Sequence, residues 1–258
     1  MTQSENTFQN LTRPDGETLA FQAREGEGPT VVWFGGFKSD MTGTKATALD
    51  DWARERGQAF VRFDYFGHGA SSGDFTDGTI GRWLEDGLHV LRDLAPGPVV
   101  LVGSSMGGWL SLLAARALQA AGEGDRLKGM VLIAPAPDFT EKLMWAGFSD
   151  EIRRTIMDEG QYNQPSDYDD EPYIITRRLI EEGRDHLILD KPIPLTCPVR
   201  ILQGMCDDDV PWQHALMLVE ALQGDDVAYT LVKSGDHRLS TPADIVRLHQ
   251  ALDDVTGT

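Results

Sequence analysis

At 258 residues the chain has the length of one large domain, with material for a substantial core. An apolar share of 41% beside 25% charged residues is ordinary for a globular protein and excludes disordered and fibrous classes. A formal net charge of -18 repels phosphate backbones and anionic headgroups, which argues against nucleic-acid binding and electrostatic membrane docking.

The opening MTQSENTFQN lacks a basic segment followed by an apolar core, and no run approaches the ~20 apolar residues that span a bilayer. With Cys197 and Cys206 too few for a disulfide scaffold, the expectation is a cytoplasmic protein without membrane insertion. ETLAFQARE reads as an early antiparallel strand. TVVWF is a second strand, running into the tight turn GGFKSD at Gly35 and Gly36. TKATALDDWARERG has helical period and stops at Gly57, a helix C-cap. AFVRFDY, PVVLVG, KGMVLIA, PVRILQG and VAYTLVKSG follow as strands. Between them lie the helical segments TIGRWLEDGLHVLRDLA, WLSLLAARALQAAG and WQHALMLVEALQ, and PADIVRLHQALDDV closes the chain. This alternation predicts an α/β fold: a mainly parallel central sheet flanked by helices, in one domain over residues 1–258.

The alternation breaks over residues 138–196, which are rich in acids, aromatics and prolines and show no strand pattern. This insertion is expected to form a small helical cap. Helical spacing places Met144, Phe148, Ile152 and Ile156 on one face, either packed on the core or lining an acyl pocket. Met144, Trp145 and Phe148 are the candidate substrate contacts.

GSSMG supplies GxSxG in one frame, with Ser105 at its centre between a strand and a helix. A serine hydroxyl is a poor nucleophile at neutral pH, so it needs a histidine base and an acid to orient that base. After a serine elbow of this kind the acid and then the histidine are expected downstream. Asp207 in CDDDVPW and His237 in SGDHRLS stand in that order after predicted strands, with Asp138 as the reserve acid. Asp208 and Asp209 are read as capping or solvating their turn. His89, His214 and His249 lie in helical patterns, His186 in the insertion and His68 in a glycine turn; all five are read as packing or surface residues. The backbone amides of Met106 and Phe37 are the candidate oxyanion donors. The GHGASSG turn misses dinucleotide-loop spacing, GGFKSD misses phosphate-loop spacing, and no Cys/His cluster suggests a metal, so no cofactor is expected.

GTKATALDDW, VRFDYFGHGASSGDF, LVGSSMGGWL, PIPLTCPVRILQGMCDDDVPW and SGDHRLSTPADI together resemble one family of α/β-hydrolases. It is the family of vertebrate mitochondrial palmitoyl-protein thioesterases that also hydrolyse the acyl glucuronide of mycophenolic acid. The resemblance spans nearly the whole chain, weakening over the cap, and the oxyanion turn reads Gly35-Gly36 where the family has Pro-Gly. It implies a serine esterase or thioesterase with Ser105 as nucleophile, Asp207 as acid and His237 as base, acting on a small-molecule or acylated-protein substrate. The same constellation on the same fold also serves peptidases and perhydrolases, and a noncatalytic ligand-binding relative is a third reading.

Overall fold

The computed structural model describes residues 8–165 and 172–257, so the start of the opening segment and residues 166–171 of the cap lie outside the described residues. Ten strands are described: β1 (Gln9–Thr12), β2 (Thr18–Arg24), β3 (Glu27–Phe34), β4 (Gln58–Phe63), β5 (Val99–Ser104), β6 (Leu127–Ile133), β7 (Gln161–Gln164), β8 (Tyr173–Thr176), β9 (Val199–Gly204) and β10 (Val227–Val232). The helices are α1 (Thr44–Arg56), α2 (Ile80–Asp93), α3 (Met106–Ala120), α4 (Asp150–Glu159), α5 (Arg177–Gly183), α6 (Trp212–Ala221) and α7 (Pro242–Thr256). Among the described residues eight strands form the main sheet, in the order β1-β2-β4-β3-β5-β6-β9-β10. Only β2 runs against its neighbours; every pair from β4 to β10 is parallel.

Parallel strands joined through helices must bury both faces, and the side-chain alternation divides the core accordingly. Val99 and Leu101 of β5 face Trp109 and Leu113 of α3 in one cluster. Val100 and Val102 face the opposite cluster, with Leu49 and Trp52 of α1 and Leu248 and Leu252 of α7. The helix ends follow local chemistry. Gly57 closes α1 in the left-handed conformation at φ 64, and Thr241 opens α7 with a reciprocal capping box to Asp244.

The inserted segment departs from its predicted form. It carries its own antiparallel ladder, β7 with β8, whose residues QYNQ and YIIT are too short for period 2 to stand out. The expected single helix is also divided. A π-helical turn over Thr140–Trp145 gives way to α4, whose start is capped by the Ser149 side chain accepting from the Ile152 amide at 3.2 Å. Met144, Phe148 and Ile152 still converge, packing against Ile156, Ile175 and Ile180 in a small second core. Asp138, buried and held at φ 59, accepts from the amides of Ile188 at 2.8 Å and Leu189 at 3.0 Å, joining the departing and returning ends of the segment. Burial raises the pKa of its carboxyl. Among the described residues, no helix is long and apolar enough to cross a membrane.

Candidate active site

Ser105 occupies the junction of β5 and α3 at φ 54 and ψ -119, a region that a residue with a Cβ enters only when its surroundings over-determine it. Here they do. Its amide donates to the Ile133 carbonyl at 2.9 Å, and its carbonyl accepts from Gly108 at 2.9 Å and Ala136 at 3.1 Å. The flanking glycines are steric necessities: a Cβ on Gly103 would lie 2.3 Å from the Gly107 carbonyl oxygen, and one on Gly107 would lie 2.0 Å from that of Phe34. Because α3 begins at Met106, its unpaired N–H groups and positive dipole end face the serine. Ser104, one residue earlier, is the buried last residue of β5.

The loops after β9 and β10 bring the other two groups to this point. The His237 Nε2 lies 3.1 Å from the Ser105 Oγ, and its Nδ1 lies 2.9 Å from the Asp207 Oδ2. With Nδ1 protonated, as its carboxylate partner requires, Nε2 is free to accept the serine proton. The Asp207 carboxylate is fully buried. Its oxygens also accept from the Asp209 amide at 3.0 Å, the Val210 amide at 2.7 Å and the Gln203 Nε2 at 2.9 Å. Asp208 and Asp209, by contrast, are exposed at the rim. Gln203 was not expected at the site, and only its place near the end of β9 could have signalled it. The loop carrying His237 is tied to α1 by Lys45, whose ammonium donates to the Arg238 carbonyl and to the Ser240 hydroxyl.

Phe37 and Met106 both border the cavity that Ser105 opens into. The Phe37 ring meets Phe75 at 4.9 Å and Phe139 and Trp83 at 5.8 Å, so the turn is held from beneath by aromatic packing. His68, read from the sequence as packing or surface, is buried and has a further contact. The Lys38 amide donates to its Nε2 at 3.1 Å, while its Nδ1 donates to the Phe66 carbonyl at 3.1 Å. This pairing requires a neutral ring, and burial lowers its pKa from 6.5 to about 4. Because an unfolded chain takes up this proton near pH 6.5, His68 subtracts stability as pH falls from 6.5 toward 4. An imidazole NMR titration will therefore show His68 as the Nδ1–H tautomer, with a midpoint near 4. A midpoint near 6.5 would mean that the Lys38 contact does not hold the ring neutral.

The cavity measures about 710 Å³, within the range of roughly 300–1,000 Å³ usual for small-molecule sites. Ala136, Phe139, Leu143, Met144 and Phe148 form an apolar arc along it. Met144 and Phe148 thus both pack in the second core and border the cavity. Trp145 is not among the lining residues. Its ring lies instead beside the guanidinium groups of Arg184 at 5.0 Å and Arg153 at 5.6 Å. The Asp138 carboxylate, the reserve acid, accepts from amides of the cap junction rather than pairing with a histidine ring.

Residues 33–248 match the Alpha/beta hydrolase family. The chain belongs to that family. Within this hydrolase family, the palmitoyl-protein thioesterase ABHD10 of Mus musculus is 39% identical over 246 residues, covering 95% of this chain and 81% of the relative. A solved chain from Agrobacterium vitis S4, assigned provisionally as a hydrolase, is 47% identical with a TM-score of 0.93, covering 97% of this chain and 98% of that one. The structure of alpha/beta hydrolase domain-containing protein 10 from mouse is 37% identical with a TM-score of 0.88, covering 96% and 98%. The mouse thioesterase is a mitochondrial protein by name, which overturns the cytoplasmic placement expected from the sequence. That expectation rested on composition and an opening segment. Composition describes a surface and its solubility, and residues 1–7 lie outside the described residues.

Proposed function

We propose that this α/β-hydrolase cleaves carboxylic esters and thioesters through an acyl-enzyme intermediate on Ser105. The observation that carries the reading is the continuous hydrogen-bonded path from the Ser105 Oγ through the His237 ring to the buried Asp207 carboxylate, with contacts of 3.1 and 2.9 Å. His237 takes the serine proton as Oγ bonds to the acyl carbon, and Asp207 stabilises the imidazolium that forms. The Met106 and Phe37 amides donate to the developing oxyanion, each contributing about 3 kcal/mol to lowering the barrier. Collapse breaks the bond to the leaving group, which takes the proton from His237. Water, activated by the same ring, then releases the acyl group as a carboxylate.

The relatives support the bond class: the mouse protein is named for thioester hydrolysis. A thiol of pKa about 8.5 leaves with far less help from a proton than an alcohol, so one triad serves both bonds. The substrate is an acylated protein or a small acyl thioester or ester, acyl glucuronides included, with its acyl chain on the apolar arc. A panel of thioesters from acetyl upward tests this. Each methylene buried on the arc contributes up to about 0.8 kcal/mol, so kcat/KM is expected to rise by up to about fourfold per carbon until the arc is filled. A profile flat with chain length would remove the arc from substrate binding.

A further inference from the structure

The turn over residues 36–39 lies against the nucleophile: a Cβ built on Gly36 would stand 3.6 Å from the Ser105 Cβ. The Gly36 carbonyl accepts from the Ser39 amide at 3.2 Å and from the Ser39 hydroxyl at 2.8 Å, so Phe37 and Lys38 are the central residues of the turn. Lys38 sits at φ 55, a left-handed conformation that residues other than glycine rarely adopt. Turns with and without that conformation at their third residue differ by rotation of the peptide joining the two central residues, and its N–H belongs to Lys38. The His68 Nε2 accepts this N–H at 3.1 Å and so opposes the rotation.

The segment between β4 and α2 is built to present that one nitrogen. In its GHGASSG run Gly67 and Gly69 are both left-handed, and a Cβ on Gly69 would lie 2.1 Å from the Asp64 Oδ2. The Asp64 carboxylate accepts from the Ala70 amide at 2.8 Å and from the Met41 amide at 2.7 Å, so the same segment also fixes the chain just beyond the turn. The His68 ring is fixed by the Phe66 carbonyl at Nδ1 and by the rings of Tyr65, Phe75 and Trp83, at 5.6, 5.1 and 5.2 Å. Phe75 and Trp83 pack on the Phe37 ring as well. With burial holding its pKa at about 4, the ring offers a lone pair at Nε2 throughout the neutral range.

We infer that His68 is a positioning residue for the oxyanion turn: by holding the peptide that follows Phe37, it keeps the Phe37 amide directed at the developing oxyanion. This rests on the oxyanion role proposed above for that amide. His68 is not among the residues lining the cavity, so it acts through the turn.

The test separates the two ring nitrogens. Asparagine places its amide near the position of Nδ1 and has no acceptor at Nε2, whereas the amide oxygen of glutamine reaches the position of Nε2. His68→Asn and His68→Gln are compared with the wild type, below their melting transitions, in hydrolysis of octanoyl N-acetylcysteamine thioester and in inhibition by an alkyl trifluoromethyl ketone. The Ser105 Oγ bonds to the carbonyl carbon of this ketone, the carbonyl π pair becomes an oxyanion, and the serine proton passes to His237. The matching methyl ketone, which resists that addition, reports occupancy of the cavity alone. His68→Asn is expected to lose about tenfold to hundredfold in kcat and in trifluoromethyl ketone affinity together, a part of the roughly 10²- to 10³-fold that deleting an oxyanion donor costs. Its KM and methyl ketone affinity are expected to hold, and His68→Gln to keep most of all four. In the wild type the Lys38 amide is expected to resist hydrogen exchange with and without the trifluoromethyl ketone, and the Phe37 amide only with it. Equal behaviour of the two variants, a loss in His68→Asn that falls on KM, or free exchange at the Lys38 amide each overturns the inference. In every such case wild-type turnover of the octanoyl thioester leaves the proposed function standing. No wild-type turnover of any ester or thioester would remove both.

Discussion

Ser105→Ala will abolish covalent labelling by a fluorophosphonate and lower kcat on acyl thioesters by roughly 10⁴- to 10⁶-fold. The size of the loss follows from how the site is built. Among the described residues, the His237 Nε2 is 3.1 Å from the Ser105 Oγ, and Ser104 is the buried last residue of β5. Alanine removes the attacking oxygen and leaves the Phe37 and Met106 amides in place, so binding and a residual oxyanion contribution survive while the covalent step does not. The substitution is small at a position whose backbone is fixed by hydrogen bonds to Ile133, Gly108 and Ala136, and the melting transition is expected to stay within a few degrees of the wild type. Labelling and turnover retained in this variant would place the nucleophile elsewhere.

Asp207→Asn is expected to lower kcat by about 10⁴-fold, and Asp208→Asn to change it little. An asparagine amide cannot serve as the carboxylate does. Gln203, Val210, Asp209 and His237 all direct donors at Asp207, and asparagine offers a single oxygen to the four of them. Where its nitrogen faces the ring, His237 must present a lone pair at Nδ1 and carry its proton on Nε2. That is the tautomer unable to accept from Ser105. Asp208 is exposed and stands outside this arrangement, so its charge is screened by water. Steady-state kinetics on the two variants, with circular dichroism to confirm folding, decide the matter. A large loss confined to Asp208→Asn would transfer the acid to the neighbouring residue.

The triad candidates could be read from the chain because each is announced locally. Gly103 and Gly107 bracket Ser105, and Asp207 and His237 follow strands whose β-rich runs are plain. The helix ends at Gly57 and Thr241 and the apolar faces of α2 and α3 were legible for the same reason. What escaped depends on contacts distant in sequence. Nothing near His68 says that its ring will accept from Lys38, 30 positions away, or that Gln203 will donate to Asp207 around a turn. Trp145, a candidate contact from the sequence, lies off the face that helical spacing gives to Met144 and Phe148, and its ring sits beside Arg153 and Arg184. The β7–β8 ladder was missed because four-residue strands with QYNQ in one of them carry too little periodicity to register.

Asp138 binds the amides of Ile188 and Leu189, so the points where the inserted segment leaves and rejoins the sheet are neighbours in space although 50 and 51 positions apart in sequence. A loop whose mouth is fixed in this way is inexpensive to resize. Its closure entropy grows only with the logarithm of its length, about 0.6 kcal/mol for each doubling. Ser105, Asp207 and His237 all lie outside that span, on strand ends whose parallel registers do not pass through it. The portion that brings Leu143, Met144 and Phe148 to the cavity can therefore change in length at small cost while Ser105, Asp207 and His237 stay where the sheet puts them.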